Sequence, residues 1–223
     1  PGLPWPDLCL PDPSTFAEAI EVLHDFQLWD KVPASVRSHL EEGLKHPEWE
    51  TLKSLDGMNH AMFNVGNQQD ACLAAATKAR ELGYEPIILS STMEGEAKDV
   101  GIMLAGVTNE VISYGRPLKA PCAIISGGET TITIVGKPEE GGPNQETAFG
   151  YAYKLRTKDR MAFVCIDTDG TDGPTDIAGG ISDGHTLARL KEQGLSIAEI
   201  FKTHGTAEPL RKLRDAIYTG NTG

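Results

Sequence analysis

Long apolar runs are missing from this sequence. No segment reaches the roughly 18 consecutive apolar residues that would span a bilayer, so a helical membrane protein is not expected. The opening Pro-Gly-Leu-Pro-Trp-Pro lacks the basic start and apolar stretch of a secretory signal. It also lacks an initiating Met, and the sequence reads as truncated or processed. Cysteine is scarce. Cys9, Cys72, Cys122 and Cys165 form no C-x-x-C pair, and no nearby His completes a zinc pattern. Three of them stand in apolar stretches, which predicts buried thiols in a reducing cytoplasm. Positive charge is short as well: 20 Lys and Arg face 32 Asp and Glu, a formal net charge of −12. A nucleic-acid backbone would be repelled, and no basic run offers a local exception, so nucleic acid is not expected as a partner. A small anion remains compatible, because a cluster of backbone N–H groups outweighs distant charge.

What is abundant is turn chemistry, with 24 glycines and 14 prolines. The length of 223 residues allows one large domain or two small ones with a real core. Residues 11–43 read as two helices. The first has a capping box at Thr15 and Glu18, followed by Phe16, Ala19, Ile20 and Leu23 at helical spacing. The second opens at Pro33 and stops at Gly43. Residues 44–60 are a polar connector, and 61–65 a short strand. Gly66 then turns the chain into a helix over 67–82, followed by a strand over 86–90 and a helix over 95–113. Alternating strands and helices predict a parallel, right-handed arrangement.

Beyond Arg116-Pro117 the pattern changes, and a domain boundary is expected near 117. Strands are expected over 123–126 and 131–135, separated by Gly127-Gly128-Glu129-Thr130. A helix over 144–157, a strand over 161–166, helices over 184–193 and 196–213, and a last strand over 215–218 complete the reading.

Three polar turns could carry chemistry. In S-G-G-E-T-T (126–131), two glycines allow close backbone approach, and Glu129 beside hydroxyls could hold a metal or a substrate hydroxyl. A plain β-turn explains that turn equally well. In G-G-P-N-Q-E (141–146), Pro143 suits the first position of a helix whose free N–H groups attract phosphate or carboxylate. Ordinary helices begin the same way. In D-T-D-G-T-D-G-P-T-D (167–176), four carboxylates crowd the end of an apolar strand, where open α/β sheets place ligands. An EF-hand is excluded, because Thr171, Asp172 and Ala178 occupy the positions that need an acid, Gly and Glu. The same string is similar to the nucleophile motif of haloacid dehalogenase-like phosphotransferases, kept as an alternative although no later strand ends in the acidic pair they need. Neither a Walker A string nor a G-x-G-x-x-G after a strand occurs. The six histidines give no defensible Ser-His-Asp order and are expected to be structural.

Taken together, Gly127–Thr131, Gly141–Glu146, Asp169–Gly180 and the final T-G-N-T-G resemble, in order and content, the glycerate 2-kinase family with its MOFRL C-terminal domain, whose members are often labelled hydroxypyruvate reductases. The likeness extends upstream through P-D-P-S-T-F at 11–16, the turn at Gly66-Asn67, and E-G-E-A at 94–97. It implies an α/β fold. Residues 1–117 would be the remainder of a Rossmann-like N-terminal domain and 118–223 a MOFRL-like domain with a mixed sheet. It implies Mg²⁺-dependent transfer of the γ-phosphoryl group of ATP to the 2-hydroxyl of D-glycerate, in a cleft between those domains. Under the resemblance, Gly127, Gly128, Glu129, Thr130, Asn144, Gln145 and Glu146 would bind substrate or phosphate. Gly66 and Asn67 would contact the nucleotide, and Asp169 and Asp172 would hold the metal.

Where the family commonly has Arg, this sequence has Pro143, and no catalytic residue is assigned. The S-G-P expected before P-D-P-S-T-F is replaced by Leu8-Cys9-Leu10. The family's catalytic Lys and Asp are expected outside this sequence, so the chain by itself is expected to lack activity. A homodimer stays open. An NAD(P)H-dependent hydroxypyruvate reductase and a non-catalytic binding protein of the same fold are the remaining alternatives.

Overall fold

The computed structural model describes residues 10–61, 63, 66–156 and 160–222. Cys9 and most of the strand expected over 61–65 lie outside them. The chain divides into two compact units, Pro1–Asn64 and Val65–Gly223.

In the first unit, α1 (Phe16–Asp25) starts at the expected capping box: Glu18 N donates to Thr15 Oγ1 at 3.2 Å, and Thr15 N donates to Glu18 Oε2 at 2.8 Å. α2 (Ala34–Gly43) follows Pro33. It ends where Gly43 lies against the Phe16 ring, 2.5 Å from where a Cβ would stand.

The second unit runs α3 (Gln68–Glu81), β1 (Glu85–Glu96), α4 (Ala97–Tyr114), β2 (Cys122–Thr131), α5 (Pro143–Lys154), β3 (Ala162–Ile166), β4 (Gly179–Asp183), α6 (Thr186–Glu192), α7 (Ile197–Thr203), α8 (Ala207–Leu213) and β5 (Ala216–Ile217). β1 and β2 pair in parallel, and β3, β4 and β5 form a separate antiparallel sheet. The fold is therefore α/β. Parallel and antiparallel pairing sit in two sheets among the described residues rather than in one mixed sheet. The boundary expected near 117 falls inside this unit, because β1 before it and β2 after it pair from Glu85↔Cys122 to Glu96↔Thr131.

Local differences from the sequence reading have physical causes. The strands expected over 123–126 and 131–135 are one strand, which continues through the two glycines and ends at Thr131. At Gly128 the β1 backbone comes so near that a Cβ would stand 2.0 Å from Met93 O, and the β1–β2 register shifts just before it. The helix expected over 196–213 is two helices, because His204 takes a left-handed φ of 56° and ends α7. β4 is not expected from the sequence, because Gly179-Gly180 resembles a loop. In the structure, Gly179 lets β3 approach to 1.9 Å between its missing Cβ and Cys165 O.

α5 is the helix around which this unit packs. Its residues from Gln145 to Ala152 are all buried, which a surface helix with one apolar stripe would not be. Phe149 joins a core with Leu190, Ile200 and Leu210, while Tyr151 joins another with Leu104 and Ala105. The Tyr151 ring also stacks on Phe163, with centroids 4.2 Å apart. α4 reaches α5 through glycines on both sides: a Cβ on Gly101 would stand 2.2 Å from Thr147 O, and one on Gly150 would stand 2.3 Å from Lys98 O. Both obstacles are backbone, so neither can swing aside. Gly101→Ala should therefore lower stability by about 1–3 kcal/mol despite the better helix propensity of Ala, seen as a lower urea midpoint. An unchanged midpoint would show that the α4–α5 contact is looser than described.

Candidate functional site

The three polar turns come together. Glu129, near the end of β2, lies within electrostatic reach of Asp167, Asp169 and Asp172 on the loop after β3. Asn144 and Gln145, at the start of α5, are bonded directly to Asp172. The final residues join the same place, for Thr222 N donates to Asp169 O at 3.0 Å and Thr222 Oγ1 donates to Thr168 O. The head of α3 is adjacent: a Cβ on Gly127 would stand 2.9 Å from Cys72 Sγ and 3.0 Å from Gln68 Oε1.

The start of α5 is not open to an external anion, because the chain fills it with its own. Asp172 is fully buried. Its Oδ1 accepts from Asn144 N at 3.1 Å and Asn144 Nδ2 at 3.0 Å, and its Oδ2 accepts from Gln145 N at 2.9 Å. A carboxylate meets the unpaired N–H groups and positive dipole end of a helix there. Asp172, expected as a metal ligand, is instead the partner of this helix start. Burial raises its pKa, and the Gln145 and Asn144 bonds oppose that rise. Gly142 permits the contact, since a Cβ would stand 2.4 Å from the Asp172 carboxyl group.

The side chains expected to receive substrate are engaged as well. Asn144 Oδ1 accepts from Cys165 Sγ at 3.0 Å. Gln145 is fully buried. Its Nε2 donates to Asp172 O at 3.2 Å and Thr175 Oγ1 at 3.1 Å, and its Oε1 accepts from Thr206 Oγ1 at 3.2 Å. Glu146 takes another partner, and its Oε2 lies 2.9 Å from His204 Nδ1. Burial raises the Glu146 pKa against the lowering effect of that bond. N-Q-E thus works as a fastener between loops rather than as a set of open donors. Asn67 is also used locally, with its side chain accepting from Asp70 N at 2.9 Å to cap α3.

Glu129, Thr130, Asp167 and Asp169 remain around this end of the fold. Burial first, then Asp167, Asp172 and Asp169, raise the Glu129 pKa. Asp169 Oδ1 accepts from Thr171 N at 2.8 Å, forming a turn within the loop. Among the described residues no three His, Cys, Asp or Glu side chains converge closely enough to hold a metal ion. Gly127 and Gly128 are required by packing on α3 and β1, so their missing Cβ atoms do not by themselves indicate a bound phosphate.

His204, expected to be structural, ends α7 and meets Glu146, a partner that the sequence does not mark. Gly205 was the available signal for the helix end, as a helix-stopping residue beside a His. Of the cysteines expected to be buried thiols, Cys72 is buried, whereas Cys122 and Cys165 are half-buried. Cys165, at the centre of the polar network, has its thiol pushed up to about 12 by burial, with the Asp172 charge adding to the effect. It is an inert donor rather than a nucleophile. No helix among the described residues is long and apolar enough to cross a membrane.

Two outcomes follow from this geometry. Asp172→Ala leaves buried N–H groups without acceptors and should cost about 1–3 kcal/mol, with Asp172→Asn in between, measured by chemical denaturation. A Glu129 pKa raised above 4.5 means that the folded state binds its proton more tightly than the unfolded chain. Its contribution to stability is therefore complete below that value and is lost as pH rises through the folded pKa. Glu129→Gln should gain stability relative to the parent as pH climbs above 4.5 in a denaturation series, and a constant difference would refute the acidic crowding.

Comparison with known proteins agrees with these elements. Residues 122–223 match the MOFRL family. The chain is 43% identical over 212 residues to the glycerate 2-kinase of Pyrococcus horikoshii, covering 95% of this chain and 48% of that protein. It is 35% identical over 213 residues to the D-glycerate 2-kinase of Thermotoga maritima, covering 96% of this chain and 48% of that protein. The crystal structure of glycerate kinase from Thermotoga maritima superposes with a TM-score of 0.73 at 34% identity, over 95% of this chain and 48% of that one. The chain thus spans about half the length of the curated relatives it matches. Its turns, their order and these likenesses together place the chain in the glycerate 2-kinase family.

Proposed function

We propose that the protein to which these residues belong transfers the γ-phosphoryl group of ATP to the 2-hydroxyl of D-glycerate, yielding 2-phosphoglycerate. The observation that carries the reading is the Asp167–Asp172 loop bonded to the start of α5, with Glu129 within its electrostatic reach, in a chain whose relatives are named glycerate 2-kinases. In this reading residues 118–223 form the MOFRL-like part and residues 1–117 the remainder of a Rossmann-like part, joined through the β1–β2 pairing rather than parted at 117, and the protein works in the cytoplasm.

ATP and Mg²⁺ are part of the proposal. The described residues do not fit a magnesium site of their own, because Asp172 is engaged by α5 and no acidic or imidazole trio converges. The ion's ligands would have to come from the nucleotide phosphates and from residues outside this set. ATP supplies the phosphoryl group, and these residues supply placement. In this reading Glu129 and Thr130 hold a substrate hydroxyl, with the backbone of Gly127 and Gly128 beside them. The Gly66–Asn67 turn, at the head of α3, is the proposed nucleotide contact through its main chain. Asn144, Gln145 and Glu146 contribute by fixing the start of α5.

Pro143 stands where the family resemblance described above expects Arg. Arg, common at that position in the family, would bring a guanidinium to a group of carboxylates that otherwise repel a phosphoryl group. The test is a purified whole protein supplied with ATP and D-glycerate. ADP should form only with glycerate, and the product should be consumed by enolase without added phosphoglycerate mutase. ADP release that ignores glycerate, or a product that enolase cannot use, would overturn the reading. Pro143→Arg should raise the rate, on the order of 10–10³-fold, in the same coupled assay.

A further inference from the structure

The first turn of α5 carries a second buried contact, at Glu146, that the proposed reaction does not use. The Glu146 side chain is 4% exposed and that of His204 15%, with 2.9 Å between Oε2 and Nδ1. Around this pair the α7–α8 corner is tied to the segment before α5 at three points. Glu139 N donates to Thr203 O at 2.8 Å, Ala207 N to Glu140 O at 3.1 Å, and Gly142 N to Thr206 Oγ1 at 3.3 Å. Gly141 lies so close to the corner that a Cβ would stand 2.3 Å from His204 O. The first turn of α5 is thus held by two partners, Asp172 and this corner.

His204 itself stands in the left-handed region, with Gly205 directly after it. A left-handed conformation costs a non-glycine residue energy. A corner that places His there, beside a glycine, keeps a side chain at a point where a hinge alone would need none. Glu96 and Lys98 also act electrostatically on Glu146, but His204 is the group hydrogen-bonded to its carboxylate.

We propose that His204 is a positioning residue: through Glu146 it fixes the rotation of the first turn of α5, and so the location of position 143 between Gly142 and Asn144, which both lie against Asp172 of the acidic loop. The proposal rests on the reading that this end of α5 faces the phosphoryl transfer. Misplacement of a reacting group by about 1 Å can cost 10²-fold in rate, so the role is kinetic as well as structural.

The experiment compares His204→Asn with His204→Leu in the whole protein. Asn tolerates the left-handed conformation and keeps an amide donor near the place of Nδ1. His204→Asn should stay within about threefold of the parent kcat, while His204→Leu should lose about 10–100-fold with KM for ATP unchanged. His204→Leu at parental kcat, or both variants losing activity in step with thermal stability, would overturn the proposal. Hydrogen exchange of peptides covering 143–149 provides a readout that does not need turnover. Those amides should exchange faster in His204→Leu than in His204→Asn, with α8 unaffected, and equal protection in both variants would overturn the proposal even if glycerate proved not to be the substrate.

Discussion

The carboxylate of Asp172 against the first N–H groups of α5 is the contact on which the rest of this unit depends. A helix start leaves backbone donors unpaired, and burying such an end without acceptors would cost more than a small domain can spare. Asp172 supplies the acceptors from a loop 27 residues further on. Gln145 closes the same arrangement from the other direction through Asp172 O and Thr175. With that end satisfied, α5 can be buried along most of its length, and both hydrophobic cores can be built on it.

The same contact decides what the neighbourhood can do chemically. A helix start already holding a carboxylate is a poor receptor for another anion, so binding at this place must draw on Glu129, Thr130 and the loop backbone. Glu129 lies within electrostatic reach of three aspartates and no described ion pair relieves it, which leaves the end of the fold negative. Phosphoryl transfer requires the opposite sign at the reacting oxygens. Cations from the nucleotide's metal, or from residues beyond the half of its relatives that this chain spans, are therefore a chemical requirement of the proposed reaction.

Much of the fold was legible in the sequence because its signals are local. The capping box at Thr15 and Glu18, Pro143 at the first position of α5, and the apolar stretches of β1 and β3 each act over a few residues, and each appears where the pattern put it. The errors arose where a distant backbone intervenes. Met93 makes β2 continuous through two glycines, and Cys165 makes Gly179 part of a strand. Neither partner is visible in the residues that it reshapes.

For the site, the sequence by itself determined which residues are polar, which turns they occupy and the order of those turns, and that order was enough to point to the family. Only the tertiary structure decided what each side chain does. Asp172 and Asn144 could each have served a ligand, until folding brought one's oxygens to the other's N–H groups. Glu146 and His204 are 58 residues apart, with nothing between them in the sequence to mark them as partners. Charge and hydrogen-bonding capacity belong to a residue, whereas the choice between a ligand and an internal partner depends on proximity, and proximity here is set by the packing of α5.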